Sequence, residues 1–297
     1  MISVVIPVYK NKKMLVDNLN KNVQFLKNTE VIIINDSPEI DLKKDLTKFN
    51  ISLIENEKNL GFGPSVNKGV MKASNKYVLL LNSDVKLKNS NFLKSIKYFE
   101  ENKKLFAVSF AQKERNNLVV GKNKIYWKCG FFRHKKDRNL SFGISSWIEG
   151  GACIVNRDLF LKFGGFDDLY SPFYWEDVDL SYRVWKSGYE IFFDPNILVE
   201  HHHESTISKF FSKDYIQEIA YRNQLIFIWK NITDFKYFLT HTLFLISDLF
   251  RFIVQKKVNF LKGFLSALKK GREIFIKKNK QKTMYVFKDS EILSKFV

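Results

Sequence analysis

The residues that could do chemistry lie in two acidic clusters separated by about ninety positions. Asp84 closes a polar turn directly after the apolar run 78–81, and the second cluster holds Glu176 and Asp177. A carboxylate at the end of a buried strand can hold a divalent cation, and an acid in the second cluster can accept a proton. Together they indicate an enzyme that activates a phosphorylated donor for attack by a hydroxyl.

The first 110 residues alternate short apolar runs with stretches of helical spacing. The runs are rich in Val, Ile and Leu and cover residues 3–9, 31–35, 51–54 and 77–81. Continuous apolar runs are typical of strands buried on both faces. The alternation predicts an α/β fold with a doubly wound, mostly parallel sheet.

Polar and turn-forming residues lie at or just beyond the carboxyl ends of the predicted strands, where ligands bind in such sheets. We therefore expect these residues to share one edge and to bind the donor. They are Pro7, Tyr9, Asp36, Asn59, Gly61, Asn82, Ser83 and Asp84.

Two of these acids have a structural alternative. Asp84 could be a ligand of Mg²⁺ or Mn²⁺, or it could cap a helix that starts near Asn91. Asp36 could accept hydrogen bonds from a ribose or a base, or it could cap a helix over residues 40–46. The residues alone leave both questions open.

The second cluster opens a predicted helix over residues 175–186. Acids are favoured at a helix N-terminus, so Glu176 and Asp177 could be structural. Aromatic neighbours, among them Trp175, could instead desolvate one carboxyl group and raise its pKa, as a general base requires. Asp179 and Arg183 are spaced to pair, which predicts a structural role for Asp179. Backbone at Gly150 and Gly151 could approach the same cleft on the acceptor side.

Residues 113–142 are basic and irregular, which predicts an inserted loop or hairpin on the acceptor side. Short strands are expected at 191–193 and 197–199, around Pro195. His201 follows them and could complete a metal site with Asp84, or it could simply be solvated.

Composition points to an anionic partner. The 297 residues carry a formal charge of +18, and residues 205–297 contain 18 Lys and Arg against 7 Asp and Glu, a net charge of +11. Anionic lipid, nucleic acid and nucleotide phosphates are the candidates. The chain starts with a strand pattern rather than a signal peptide, and its two cysteines, predicted to pack in the interior, favour a reducing compartment.

The basic tail has amphipathic patterns over residues 239–255 and 258–282. No stretch reaches the roughly 18 uncharged apolar residues typical of a spanning helix. The pattern is typical of interfacial helices on an anionic membrane, especially over 258–282. The alternative, which stays open for 239–255, is an amphipathic helix packed on the rest of the protein.

In order and spacing, these motifs resemble those of the family-2 glycosyltransferases, which have the GT-A fold. The resemblance covers residues 1–230 and is nearest to bacterial rhamnosyl- and galactofuranosyltransferase-like enzymes of surface polysaccharide assembly. It is carried by residues 5–9, 34–37, 59–62, 81–85, 150–151, 165–167, 175–180, Pro195 and His201.

The resemblance implies inverting transfer from a nucleoside-diphosphate sugar to a glycan or lipid-linked acceptor. It assigns Asp36 to the base or ribose, Asp84 with His201 to Mn²⁺ or Mg²⁺, and Asp177 to the general base, with Glu176 as the alternative. Asn82 stands where the family motif has its first Asp, which makes His201 more important as a second metal ligand. The Gln-x-x-Arg-Trp motif of processive enzymes is absent, which favours addition of a single sugar.

This interpretation divides the chain into a catalytic domain, 1–230, and an amphipathic basic helical tail, 231–297. The donor-binding half would be 1–110 and the acceptor-side half 111–230. The enzyme is expected in the cytoplasm, peripheral on the inner face of the cell membrane.

Two other function classes remain. A nucleotidyltransferase could use a similar nucleotide-binding sheet, but it would release pyrophosphate rather than a nucleoside diphosphate. A nucleic-acid-binding protein is suggested by charge alone, and because no basic-aromatic motif supports it, we expect no nucleic-acid partner.

Overall fold

The computed structural model describes residues 1–114, 116–201 and 206–296, which form an α/β architecture around a ten-stranded sheet. A separate two-stranded hairpin is formed by β8 and β9. The strands are β1 Ile2–Val8, β2 Glu30–Asn35, β3 Ser52–Glu55, β4 Tyr77–Leu81, β5 Val85–Leu87, β6 Leu105–Lys113, β7 Val119–Val120, β8 Asn123–Lys128, β9 Phe131–Lys136, β10 Gly143–Ile144, β11 Ala152–Asn156 and β12 Glu190–His201.

Helices cover both faces of the sheet in the first half of the chain and dominate the described residues beyond 206. They are α1 Lys12–Asn22, α2 Lys43–Leu46, α3 Phe62–Lys72, α4 Ser95–Glu101, α5 Arg157–Lys162, α6 Glu176–Lys186, α7 Thr206–Phe210, α8 Lys213–Asn231, α9 Phe235–Val254, α10 Val258–Lys269, α11 Gly271–Lys282 and α12 Asp289–Ser294.

The four predicted strands are present and pair in parallel in the order β3-β2-β1-β4. Their side chains alternate between two apolar layers. Val5 packs with Val66 and Val70 of α3, whereas Val4 packs in the other layer with Leu15 of α1. Both faces are therefore buried, which explains the unbroken apolar runs and confirms the predicted α/β class with a mostly parallel central sheet.

The second half of the sheet departs from the simple pattern. Strand β11 lies antiparallel between β4 and β6, and β12 is parallel to β6. The two short strands expected around Pro195 are wrong: β12 is continuous, with a pairing irregularity between Asp194 and Leu198. Proline lacks an N–H, and the irregularity accommodates it without ending the strand. The continuous strand brings His201 opposite Val85, the residue after Asp84.

The basic insertion forms the hairpin of β8 and β9. Cys129 and Gly130 make its two-residue turn, both with positive φ, as primed hairpin turns require. Cys129 is exposed there, so its predicted interior packing is wrong, whereas Cys153 is buried in β11.

Helix α9 packs against the hairpin and is anchored by His241, its one buried residue. His241 Nδ1 lies 2.8 Å from the carbonyl oxygen of Gly130, and the indole N–H of Trp229 donates to Nε2 at 3.0 Å. Nδ1 is therefore the protonated nitrogen of a neutral ring, and burial lowers the pKa of His241. This pair of bonds fixes α9 to the hairpin and to α8.

The outer face of α9 is apolar. With 20 residues and a mean hydropathy of 1.4, α9 is long and apolar enough to cross a membrane by length and composition alone. It carries Lys236, Asp248 and Arg251, so it holds no run of about 18 uncharged apolar residues, as expected from the sequence. One side of α9 is nevertheless packed against the hairpin, as the His241 contacts show.

The last helix is held by a buried ion pair. Asp289 of α12 and Lys186 of α6 approach to 2.7 Å, and both side chains are fully buried. The hydroxyl of Tyr182 and the backbone N–H groups of Thr233 and Asp234 also donate to Asp289. The C-terminal helices are thus attached through one carboxylate to the helix that begins with Glu176.

We expect Asp289→Asn to lower the free energy of unfolding by about 3 kcal/mol, because it leaves the buried Lys186 ammonium without its counter-charge. Denaturant unfolding measures the loss. Lys97→Ala is the control, since the Lys97–Glu101 pair is exposed and an exposed pair contributes below about 1 kcal/mol. Equal effects of the two substitutions would contradict the role of the buried pair.

Candidate active site

A cavity of about 640 Å³ opens at the carboxyl ends of β1, β2 and β4. Every residue predicted from the sequence as a site residue lines it. They are Pro7, Tyr9, Asp36, Asn59, Gly61, Asn82, Ser83, Asp84, Gly150, Gly151, Trp175, Glu176, Asp177 and His201.

Asp36 organises the loop at residues 59–61 beside the cavity. Its Oδ1 accepts from the amide group of Asn56 and the N–H of Leu60, each at 2.8 Å, and its Oδ2 accepts from the N–H of Gly61 at 2.9 Å. These bonds replace the suggested helix cap. Gly61 has a φ of +91°, and a Cβ there would lie 2.9 Å from the Pro172 carbonyl oxygen, so the close approach requires glycine.

The turn after β4 is fixed from two sides. The N–H of Asn82 donates to the carbonyl of Gly151 at 2.8 Å, and the side chain of Asn18 donates to the carbonyl of Ser83 at 2.8 Å. A Cβ at Gly151 would lie 2.3 Å from Nδ2 of Asn82, so glycine there leaves room for the Asn82 amide. These contacts determine where Asp84 projects.

Asp84 and His201 form the candidate metal pair. Oδ1 of Asp84 is buried, accepts no hydrogen bond within the described ranges and lies 3.3 Å from Nε2 of His201. Two ligands each about 2.1 Å from one ion are about 3 Å apart at right angles, so this spacing fits a shared divalent cation. No group of three or more acidic, His or Cys residues with metal-site geometry occurs among the residues described. Further ligands would have to be phosphate oxygens or water, as Mg²⁺ and Mn²⁺ favour.

The second acidic cluster begins α6. Tyr174 and Trp175 have φ values of +70° and +77°, and this turn brings the helix start to the cavity. Glu176 is buried with Oε2 lacking a hydrogen-bond partner in the described structure, and burial followed by repulsion from Asp177 raises its pKa well above the usual range. Burial also raises the pKa of Asp177 to about 7, partly offset by the N–H of Val178, which donates to Oδ1 at 2.8 Å.

Asp179 has the structural role predicted for it. Its carboxylate is fully buried, 2.8 Å from Arg183 Nε and 2.8 Å from Lys230 Nζ. Burial acts to raise the pKa of Asp179, but these two cations outweigh it and lower the pKa.

Several lining residues were not found from the sequence. His134 and Lys136 come from β9, and Trp147 and Glu149 from the segment before β11. Glu149 directly precedes Gly150, so its position was an available signal. His134 and Lys136 reach the cavity only because the hairpin folds back over it.

Residues 207–211 contribute aromatic and apolar side chains to the cavity wall. The rings of Tyr9 and Phe211 are 6.5 Å apart and nearly parallel, and Phe211 also contacts Phe173 at 5.1 Å. Phe211 and Ile207 line the cavity. A donor bound beside Tyr9 would therefore be enclosed by aromatic side chains.

Comparison with known sequences gives a family match. The sequence model of glycosyl transferase family 2 matches residues 3–163, just over half of the chain. Rhamnosyltransferase WbbL of Escherichia coli K12 is 26% identical over 221 residues, which are 68% of this chain and 82% of that protein. The N-acetylglucosaminyl-diphospho-decaprenol L-rhamnosyltransferase of Mycobacterium tuberculosis is 41% identical over 56 residues, 19% of this chain and 18% of that protein. These matches confirm the predicted family and its rhamnosyltransferase-like subgroup.

Comparison with solved structures supports the fold. GalNAc-T7 in complex with UDP, GalNAc and Mn²⁺ matches with a TM-score of 0.61 at 14% identity, over 77% of this chain and 48% of that one. At this identity the likeness shows the fold alone, and it confirms the predicted GT-A fold.

The raised pKa values of Asp177 and Glu176 predict a pH dependence of stability. Between about pH 4 and pH 7 the folded protein retains protons that the unfolded chain loses, so the free energy of unfolding should fall as pH rises through this window. Urea unfolding at pH 5 and pH 8 measures it. Asp177→Asn should reduce the difference in the free energy of unfolding between pH 5 and pH 8. If the variant keeps the wild-type pH dependence, the assignment of the raised pKa to Asp177 is contradicted.

Proposed function

Because the chain belongs to glycosyl transferase family 2 and is a glycosyltransferase, we propose that it transfers one sugar, with inversion, from a nucleoside-diphosphate donor to a hydroxyl of a lipid-linked or glycan acceptor. The observation that carries the proposal is that the Asp84–His201 pair and the Asp177 carboxylate line the same cavity. Residues 1–230 would form the catalytic domain and 231–297 its basic helical extension.

The donor would bind at the strand ends. The loop held by Asp36 and the ring of Tyr9 would enclose the base and ribose, and the turn at 82–84 would lie against the diphosphate. Asp84 and His201 would hold Mn²⁺ or Mg²⁺, which supplies Lewis-acid stabilisation of the leaving diphosphate. The Mn²⁺ and UDP bound by GalNAc-T7 support a divalent cation and a nucleotide donor.

Asp177 fits the role of general base better than Glu176. With its pKa raised to about 7, Asp177 is ionised in part of the molecules at neutral pH and is basic enough to take a hydroxyl proton. Burial and repulsion from Asp177 raise the pKa of Glu176 well above its usual range, which favours the protonated form of that carboxyl group. The acceptor oxygen would attack the anomeric carbon, the carbon–oxygen bond to the diphosphate would break, and the acceptor proton would pass to Asp177.

The acceptor would enter along the β8–β9 hairpin. Strand β9 presents Arg133, His134, Lys135 and Lys136 at the surface, and two of these reach the cavity beside Trp147. A cationic edge next to an aromatic wall suits a sugar joined to a diphosphate. The relative named for a diphospho-decaprenol acceptor supports a lipid-linked acceptor and a role in surface polysaccharide synthesis.

The outer face of α9 provides the membrane contact in this proposal. Its exposed apolar residues recur every three or four positions, which places them on one stripe of the helix. The apolar stripe consists of Phe235, Leu239, Leu243, Ile246, Phe250 and Ile253. Phe235 is 75% exposed and Phe250 is 74% exposed, more than solubility alone would favour.

Charge selects an anionic bilayer as the occupant of the apolar stripe. Lys236 lies at the start of α9 and Arg251, Lys256 and Lys257 at its end, all exposed, where long basic side chains can reach lipid headgroups. Because His241 fixes the other side of α9 to the hairpin tip, the helix would lie in the interface rather than cross it. The hairpin then runs from the membrane contact to the cavity, along the path that a lipid-linked acceptor needs. In this proposal the enzyme would act at the cytoplasmic face of the membrane, as predicted from the sequence.

We expect Asp177→Asn to lower kcat about a thousandfold while donor affinity in Mn²⁺ stays near the wild-type value, because the base acts on the acceptor. Glu176→Gln should retain most activity, since the raised pKa of Glu176 favours a neutral carboxyl group that a glutamine amide resembles in shape. The assay follows the release of nucleoside diphosphate from a panel of donors with a lipid-linked acceptor. If Glu176→Gln abolishes turnover and Asp177→Asn does not, Glu176 is the base; release of pyrophosphate would contradict glycosyl transfer.

We expect the double variant Leu243→Asp, Ile246→Asp to lose at least tenfold in affinity for vesicles containing 30 mol% phosphatidylglycerol, about the minimum effect of removing two buried apolar side chains from an interface. Co-sedimentation measures binding. Met71→Asp, at an exposed apolar position on α3, is the matched control. Wild-type-like binding by the double variant would contradict the assignment, and a change in molecular mass on gel filtration would assign the stripe to a second copy of the chain.

A further inference from the structure

A buried chain of hydrogen bonds crosses the floor of the cavity behind the candidate metal pair. Lys136 pairs with Oε1 of Glu149, the amide group of Gln112 donates to Oε2 of Glu149 at 2.7 Å, and Oε1 of Gln112 lies 2.7 Å from Nδ1 of His201. We infer that Gln112 and Glu149 are positioning residues that hold His201 in the tautomer able to bind a cation through Nε2. The inference rests on the metal role proposed for Asp84 and His201.

The direction of the chain follows from the chemistry of its ends. Glu149 is paired with the Lys136 ammonium, so its carboxylate is ionised and can only accept hydrogen bonds. Gln112 must therefore turn its NH₂ group towards Glu149 and its carbonyl oxygen towards His201. An oxygen at 2.7 Å requires the hydrogen of the imidazole on Nδ1, so that a neutral ring presents its lone pair at Nε2.

That lone pair faces an oxygen. Nε2 lies 3.3 Å from Oδ1 of Asp84, so in the neutral ring two electron-rich atoms are directed at each other. The arrangement is stabilised when positive charge stands between them. The orientation of Gln112 therefore determines that this end of the cavity attracts a cation, although Gln112 does not itself reach the cavity wall.

The hydrogen-bond chain is held rigidly at Gln112. Gln112 is fully buried in β6, and its backbone pairs with Val199 of β12 on one side and Val120 of β7 on the other. Asn123 adds a hydrogen bond of 3.3 Å to Glu149. A ligand whose ring is held by such a partner loses little entropy on metal binding, and removal of the partner typically costs about 10- to 100-fold in metal affinity.

The same hydrogen-bond chain connects the candidate metal pair with the proposed base. Glu149 lies close enough to Asp177 to contribute to raising the pKa of that carboxyl group, and Lys136 acts in the opposite direction. The residue that orients the metal ligand thus also borders the proposed base. Glu149 is therefore expected to affect both donor binding and proton transfer, whereas Gln112 should affect donor binding alone.

The test reads the tautomer and the metal affinity in the full-length protein without donor. Long-range ¹H–¹⁵N spectra of histidine-labelled protein should show His201 as the Nδ1–H tautomer, with its signal assigned by loss in His201→Gln. Gln112→Leu should mix the tautomers and weaken Mn²⁺ binding, measured by calorimetry, about 10- to 100-fold. Ser109→Ala is the control, because Ser109 is also buried in β6 and its hydroxyl has no partner in the described structure.

Glu149→Gln keeps the shape of the chain but removes the charge that orients Gln112, so it should show mixed tautomers and a smaller loss of Mn²⁺ affinity. If Gln112→Leu does not fold, the Glu149→Gln variant tests the inference in its place. An Nε2–H tautomer in the wild type, or Mn²⁺ affinity within twofold of wild type in both variants, would overturn the inference. Mn²⁺ binding unaffected by Asp84→Ala would instead contradict the proposed metal site, which separates the two failures.

Discussion

The structure depends on the buried carboxylate of Asp179. It fixes the first turn of α6 by an ion pair with Arg183 in the same helix and by contacts with Lys230 and Asn231 at the end of α8. The hydroxyl of Tyr170 also donates to it at 2.7 Å. A buried charge is tolerated only when ion pairs and hydrogen bonds compensate it. These contacts therefore fix the position of α6 relative to the sheet. That position sets Glu176 and Asp177 at the cavity.

The three acids of this turn show how the environment separates residues of the same kind. Two cations lower the pKa of Asp179, whereas burial and the neighbouring Asp177 raise the pKa of Glu176 well above its usual range. Asp177 has a pKa of about 7. The intrinsic pKa values of these side chains are nearly equal. Burial acts to raise the pKa of all three, and the charges and N–H groups around each carboxyl group decide which one can exchange a proton near neutral pH.

The basic tail serves two purposes that charge counting cannot separate. Lys277 pairs with Asp167, and the ammonium of Lys278 donates to the carbonyls of Trp229 and Ile232, so part of the positive charge closes the C-terminal helices onto the catalytic core. The cations beside the apolar stripe of α9 remain at the surface. Both groups of cations contribute to the membrane prediction made from the sequence. Only the cations beside α9 take part in the proposed membrane contact.

The sequence by itself determined the α/β class, the first four strands, helix α6 and the predicted site residues that line the cavity. Those features depend on local patterns, such as apolar runs, helical spacing and polar turns at strand ends, which a chain carries wherever it folds. The continuity of β12, the contribution of His134 and Lys136, and the orientation of His201 by Gln112 were decided by tertiary structure. Each joins residues far apart in the chain, and the separation of the pKa values of Glu176, Asp177 and Asp179 arises from the same long-range packing. The sequence could propose Asp84 and His201 as partners, but only the pairing of β12 with β5 brings them within 3.3 Å.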